Sequence, residues 1–123
     1  MDQLKNLAQQ KQIETVYMTF TDHMGRQMGK RYDVDYFIEE GEQGSFGCEY
    51  LLTVDMDFNI IPGFDYTNWD VGYGDFKMIP DMNTLRQATW LDKTAYVTCD
   101  VLDYKSQRLV SVAPRSILRK QVA

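Results

Sequence analysis

Residues 95–102, AYVTCDVL, alternate strictly: Ala95, Val97, Cys99 and Val101 fall on one side, and Tyr96, Thr98, Asp100 and Leu102 on the other. A period of two marks a strand that buries one face and leaves the other half-wet. A chain holding such a strand must build a sheet around it and cover its apolar side. Residues 15–20 repeat the pattern, with Val16, Met18 and Phe20 opposite Thr15, Tyr17 and Thr19. Asp22-His23-Met24-Gly25 follows as a turn, where Gly25 can take a positive φ. Residues 27–32 then return as the second arm of a β-hairpin.

Between these strands the period changes. Leu4, Leu7 and Ala8 are spaced for a short amphipathic helix over 2–11. Asp33 or Asp35 caps a second helix running to Glu40, which presents Val34, Phe37 and Ile38 and stops at Gly41 and Gly44. Further strands are expected at 48–54, 76–79 and 109–112. Pro114 suits the first turn of a last helix through Val122, whose Ile117, Leu118 and Val122 have little following sequence to cover them. Residues 57–74 carry Pro62, Gly63, Gly72 and Gly74 and read as a long structured loop, a form often used for function. The pattern predicts an α+β fold: a β-grasp-like mixed sheet with a crossing helix, a short N-terminal helix and a C-terminal linker helix.

With 123 residues the chain has room for one core. Its net charge is −5, unevenly spread: residues 33–81 hold twelve acids and the single base Lys77, whereas residues 86–120 hold seven bases and three acids. An acidic middle opposes a nucleic-acid groove and suits a cationic ligand or basic partner. No apolar run is long enough for a membrane span and no secretory leader is evident, so the expected compartment is the cytoplasm. Cys48 and Cys99 lack metal-ligand or redox spacing and read as reduced thiols.

Few local motifs carry chemistry. His23, the sole histidine, reads as a turn residue without partners. Asp55-x-Asp57 opens like a calcium loop, but Ile60 stands where Gly is required and Tyr66 where Glu is required. No phosphate-binding glycine loop is present. Four Asp, three Gly, two Pro and two Trp crowd residues 62–90.

That crowded string resembles a known family. Gly72-Tyr73-Gly74-Asp75, Pro80-Asp81-x-x-Thr84-Leu85-Arg86 and Trp90 resemble the N-terminal domain of glutamine synthetases. In the same order, Phe20-x-Asp22-x-x-Gly25-x-x-x-Gly29-Lys30 resembles the family's first hairpin, Cys99-Asp100 a later strand, and Pro114-Arg115-x-x-Leu118 the helix into its catalytic domain. The resemblance covers about residues 13–121 and implies a β-grasp domain over 1–112, with 113–123 starting the helix toward a catalytic domain. It further implies that this second domain supplies the metal-binding carboxylates and most contacts to ATP and glutamate, with Mg or Mn. The N-terminal domain would pack on the catalytic domain of the next subunit in a ring, and so would not turn over alone.

One loop carries a role across. Phe64-Asp65-Tyr66-Thr67-Asn68 resembles the bacterial Phe-Asp-Gly-Ser-Ser, whose Asp helps bind ammonium and prepare it for attack on γ-glutamyl phosphate. The resemblance makes Asp65 the catalytic and substrate-binding candidate, with Asn68 as a second substrate-binding residue, for ammonia or another amine. Relatives use polyamines or other amines, and some have lost catalysis. The alternative is therefore a non-catalytic glutamine synthetase-like scaffold, or a free β-grasp interaction module.

Overall fold

The structure, a computed structural model, describes residues 1–123. Its element order is α1 (Asp2–Gln9), β1 (Thr15–Thr21), β2 (Gln27–Asp33), α2 (Val34–Glu40), β3 (Ser45–Cys48), β4 (Asp75–Pro80), β5 (Arg86–Gln87), β6 (Thr94–Asp103) and α3 (Pro114–Val122), with three short 3₁₀ turns. The sheet runs β2-β1-β6-β4-β3, and β5 pairs with β6. β1 and β6 are parallel, with Val16 opposite Ala95 and Met18 opposite Val97; every other pairing is antiparallel. This mixed six-stranded sheet with three helices is the α+β, β-grasp-like fold expected from the pattern. No helix is long and apolar enough to cross a membrane.

The two alternating segments meet as the central parallel pair. Val16, Met18 and Phe20 join Val97, Cys99 and Val101 in one buried cluster with Phe37, Phe76 and Leu4. Phe20 meets Phe76 edge to face at 5.1 Å between centroids. The alternation in β1 ends at Thr19, which is fully buried. Its hydroxyl donates to the Val97 carbonyl oxygen at 3.2 Å, so burial leaves no orphan donor. Asp33 caps α2, accepting from the Asp35 and Tyr36 amides.

Gly29 shows why the hairpin needs a glycine inside a strand. It lies opposite Thr19 in the register, and a Cβ there would sit 1.8 Å from the Met18 carbonyl oxygen, which is backbone and cannot yield. Gly25 supplies the turn's positive φ of 79°.

Two expected strands differ. The strand expected over 48–54 instead occupies Ser45–Cys48, and Glu49–Leu52 forms a 3₁₀ turn. β3 pairs with β4 only from Ser45↔Met78 to Cys48↔Asp75. Past that point the Glu49 amide donates to the Gly74 carbonyl oxygen at 2.9 Å, and the chain turns into the long loop. The strand expected over 109–112 is reduced to a single bridge between Leu102 and Leu109. Val110 is buried, and the chain turns into α3 at Pro114 before a ladder can form.

Candidate functional site

The loop between β3 and β4 is fastened at three places. The first is the β1–β2 turn. Asp22, 2% exposed, accepts from the Met24 and Arg26 amides and pairs with Arg26 Nε at 2.7 Å. Arg26 then donates to the carbonyl oxygens of Asp55 and Met56, at 2.9 and 2.8 Å, while its guanidinium lies 4.4 Å from the Phe58 ring centroid. His23 is a turn residue as expected, and its ring stacks on Phe64 with centroids 5.4 Å apart.

The second fastening is Asp55, whose carboxylate folds its own loop by accepting from the Asp57 and Asn59 amides. Those bonds, the Asn59 amide first, hold its pKa below the usual carboxylate value. The third is Glu49. Its Oε2 accepts from the Thr67 hydroxyl at 3.1 Å and the Gly74 amide at 3.0 Å. Thr67 is buried, and its single hydroxyl proton is shared between Glu49 and the Gly72 carbonyl oxygen, 3.2 Å away. Neighbouring Tyr66 has a buried hydroxyl without a hydrogen-bond partner. Burial, followed by the negative charge of Glu49 and Asp103, pushes its pKa well upward, so it stays a neutral phenol.

These anchors explain how Asp65 is presented. In Phe64-Asp65-Tyr66-Thr67-Asn68, the two residues after Asp65 turn toward Glu49. Asn68 spends its amide on the loop: Nδ2 donates to the Phe64 carbonyl oxygen, and Oδ1 accepts from the Asp70 and Val71 amides. Asp65 is exposed, and its carboxylate takes no part in the bonds that hold the loop. It borders an open pocket of about 420 Å³ that Phe64, Trp69, Tyr73 and a second carboxylate, Asp70, also line. The two candidate residues thus lie in one loop but differ in employment: Asp65 is free to meet a ligand, whereas Asn68 shapes the turn beside it.

The chemistry open to this arrangement is recognition of a cation by a carboxylate between aromatic walls. No group of three or more His, Cys, Asp or Glu side chains gathers to hold a metal ion, and the donor set does not fit a metal–nucleotide centre. Arg26 and Glu49 were not singled out from sequence. The i, i+4 spacing of Asp22 and Arg26 across a turn was the available signal for Arg26. Glu49 gave none, because it stood inside an expected strand.

Comparison with known proteins follows this geometry. The chain is 42% identical over 123 residues to the gamma-glutamylethanolamide synthetase GlnA4 of Streptomyces coelicolor, matching 99% of itself and 26% of that protein. It is 30% identical over 120 residues to a glutamate–isopropylamine ligase of a Pseudomonas species, matching 97% of itself and 26% of that enzyme. The chain therefore spans about a quarter of the length of these curated relatives. Among solved structures, GmaS in complex with ADP superposes with a TM-score of 0.68 at 25% identity, over 98% of this chain and 24% of that one. A novel glutamine synthase homologue superposes at 0.71 over 89% of this chain and 26% of that one; at 19% identity it speaks to the fold alone. No family model matches.

Proposed function

Taking the chain as a member of the glutamine synthetase-like ligases, matched at the N-terminal end of its homologues, we propose that it is the N-terminal domain of an ATP-dependent glutamate–ammonia or glutamate–amine ligase. Its part is to lend the Asp65 loop to an active site completed by a catalytic domain of a neighbouring subunit in a ring. ATP, Mg or Mn and glutamate are held by that other domain, and the isolated chain is inactive.

The observation that carries this reading is the contrast inside one loop. Glu49 and Asn68 spend their acceptors on the loop's own bonds, while the carboxylates of Asp65 and Asp70 stand exposed beside a pocket. A carboxylate ionised at neutral pH holds an ammonium group and takes up a proton as the amine becomes a nucleophile. Magnitude explains the need for a partner. One charge pair at ~4 Å gives about 1 kcal/mol in water and about 4 kcal/mol at an effective dielectric near 20. The first is less than about tenfold in affinity, and the second is near a thousandfold. Asp65 works only when another protein surface covers it.

The test is steady-state kinetics on the full-length protein. Asp65→Asn is expected to lower kcat/KM for the amine at least about a hundredfold while ATP affinity is retained. Unchanged amine kinetics would remove Asp65 from the site, and turnover of glutamate and ATP by residues 1–123 alone would end the shared-site reading.

A further inference from the structure

The sole histidine stands at the tip of the first hairpin, against the loop that carries Asp65. Its imidazole stacks on Phe64, with centroids 5.4 Å apart and planes 27° from parallel. In the same turn, Arg26 holds the start of the loop through the Asp55 and Met56 carbonyl oxygens. One turn therefore grips the loop twice. The second grip matters because the backbone around Asp65 is poorly tied. The Ile61 amide donates to the Thr53 carbonyl oxygen at 2.7 Å, and Thr67 is bound to Glu49. Between them, residues 62–66 make no backbone–backbone hydrogen bond. Pro62 and Gly63 are exposed, Gly63 has a φ of 95°, and a Cβ added to it would meet nothing within 4 Å. Asn68 binds the Phe64 carbonyl oxygen from inside the loop, which sets the loop's shape but not its seat on the domain. Two rings seat it: Tyr66 packs against the hydrophobic core, and Phe64 lies on His23. Asp65 is the residue between them.

We infer that His23 is a positioning residue: by stacking on Phe64 it holds the Asp65 carboxylate in one place for the amine. The inference rests on reading Asp65 as the amine-binding carboxylate and adds how that carboxylate is held. A ring pair of this kind changes the population of the seated loop by about two- to tenfold. A site that is competent for only a fraction of the time binds its ligand more weakly by that fraction, and saturating ligand refills the competent state. Loss of the stack should therefore appear in KM for the amine and not in kcat. Asp70, the other carboxylate lining the pocket, has its amide held by Asn68 Oδ1 and does not depend on this stack.

The experiment compares wild type, His23→Ala, His23→Phe, Met24→Ala, Asp65→Asn and the His23→Ala/Asp65→Asn double variant, all as full-length protein. Kinetics use ammonium chloride and ethylamine at saturating glutamate and ATP. His23→Ala is expected to raise the amine KM by about two- to tenfold while kcat and the KM for ATP stay put. His23→Phe keeps a ring on Phe64 and should return the amine KM to within about twofold of wild type. Met24→Ala truncates an exposed neighbour in the same turn and should change nothing. Placed on Asp65→Asn, the His23→Ala effect should vanish, because two residues acting through one carboxylate are not additive. Hydrogen exchange gives a readout without turnover: residues 63–66 should exchange faster in His23→Ala, residues 55–59 should not, and His23→Phe should restore protection. Unchanged exchange at 63–66 or an unchanged amine KM in His23→Ala overturns the inference. So does failure of His23→Phe to restore either, or a KM effect that persists without the Asp65 charge. If Asp65→Asn itself leaves the amine KM unchanged, the underlying reading of Asp65 fails instead.

Discussion

Arg26 reaches from the first hairpin to the loop that carries Asp65, donating through Nη2 to the carbonyl oxygen of Asp55 at 2.9 Å. The same guanidinium uses Nη1 on the Met56 carbonyl oxygen and Nε on the buried Asp22 carboxylate. Three separate acceptors around one planar group cannot be served by a lysine, whose ammonium is a single point.

Arg26→Ala should therefore destabilise the domain by about 2–3 kcal/mol, since Asp22 is left buried with only backbone donors. Arg26→Lys should recover less than half of that loss. Urea unfolding of the three proteins checks the energies. Hydrogen exchange at residues 55–59 should rise in both variants before the central strands are affected. Equal protection of this segment in wild type and Arg26→Ala would mean that the loop is held by Asp55 and Glu49 alone.

A second guanidinium fixes the far end of the chain. Arg115 pairs with Asp81 and, at 2.9 Å, with Asp100, and Arg119 joins Asp100 at 2.8 Å. α3 has nine residues, too few to persist in water by propensity, and Ile117, Leu118 and Val122 are exposed. Its order thus depends on this half-buried cluster. Arg115→Ala should cost about 1–2 kcal/mol and fray residues 116–122, read as lost helical circular dichroism with the sheet intact. A variant with unchanged helicity would show that Ala113 and Pro114 hold the helix start unaided.

Much of this architecture was legible because burial imposes a period. The alternation in 15–20 and 95–102 announced the two central strands, and of the two caps expected for α2, Asp33 and Asp35, the structure uses Asp33. The strand expected at 48–54 went astray because Leu51, Leu52 and Val54 resemble a buried run. What ends the ladder there is a long-range capture of Glu49 by Thr67 and Gly74, which no local pattern records. Asp65 itself has no signature in composition or spacing. It came from motif resemblance, and the sequence around it could not reveal that Asn68 is spent on the turn or that Trp69 stands at the pocket wall.

The two thiols should separate cleanly. Cys99 is fully buried on β6, and burial, with the nearby Asp100 charge, pushes its thiol up to about 12 from an ordinary 9.0. Cys48 is only half-buried. Alkylation of the native protein at pH 8 should modify Cys48 alone, and urea should release Cys99. The sign for stability follows from the same shift. Protonated thiol is favoured in the fold, so this contribution is complete below pH 9 and is lost as pH rises from 9 toward 12. Cys99→Ala should flatten that alkaline decline in the urea midpoint. Native labelling of Cys99 at the rate of Cys48 would contradict its placement in the core.

Asp65 and Asn68 make the last comparison, because two residues three positions apart in one loop should fail in opposite ways. Asp65 is exposed and supports no loop bond, so Asp65→Asn should leave unfolding within about 0.5 kcal/mol of wild type. Asn68 serves three backbone groups at once. Asn68→Ala should cost about 1–2 kcal/mol, since the Phe64 carbonyl and the Asp70 and Val71 amides lose their partner. On the proposed function the order should reverse for amine use in the full-length protein: Asp65→Asn would remove the proposed amine-binding charge, whereas Asn68→Ala would only blur the position of the pocket wall. Thermal unfolding and amine KM measured on the same pair of variants separate the roles. A stability loss in Asp65→Asn matching that of Asn68→Ala would mean that the carboxylate braces the loop and is not held free for a substrate.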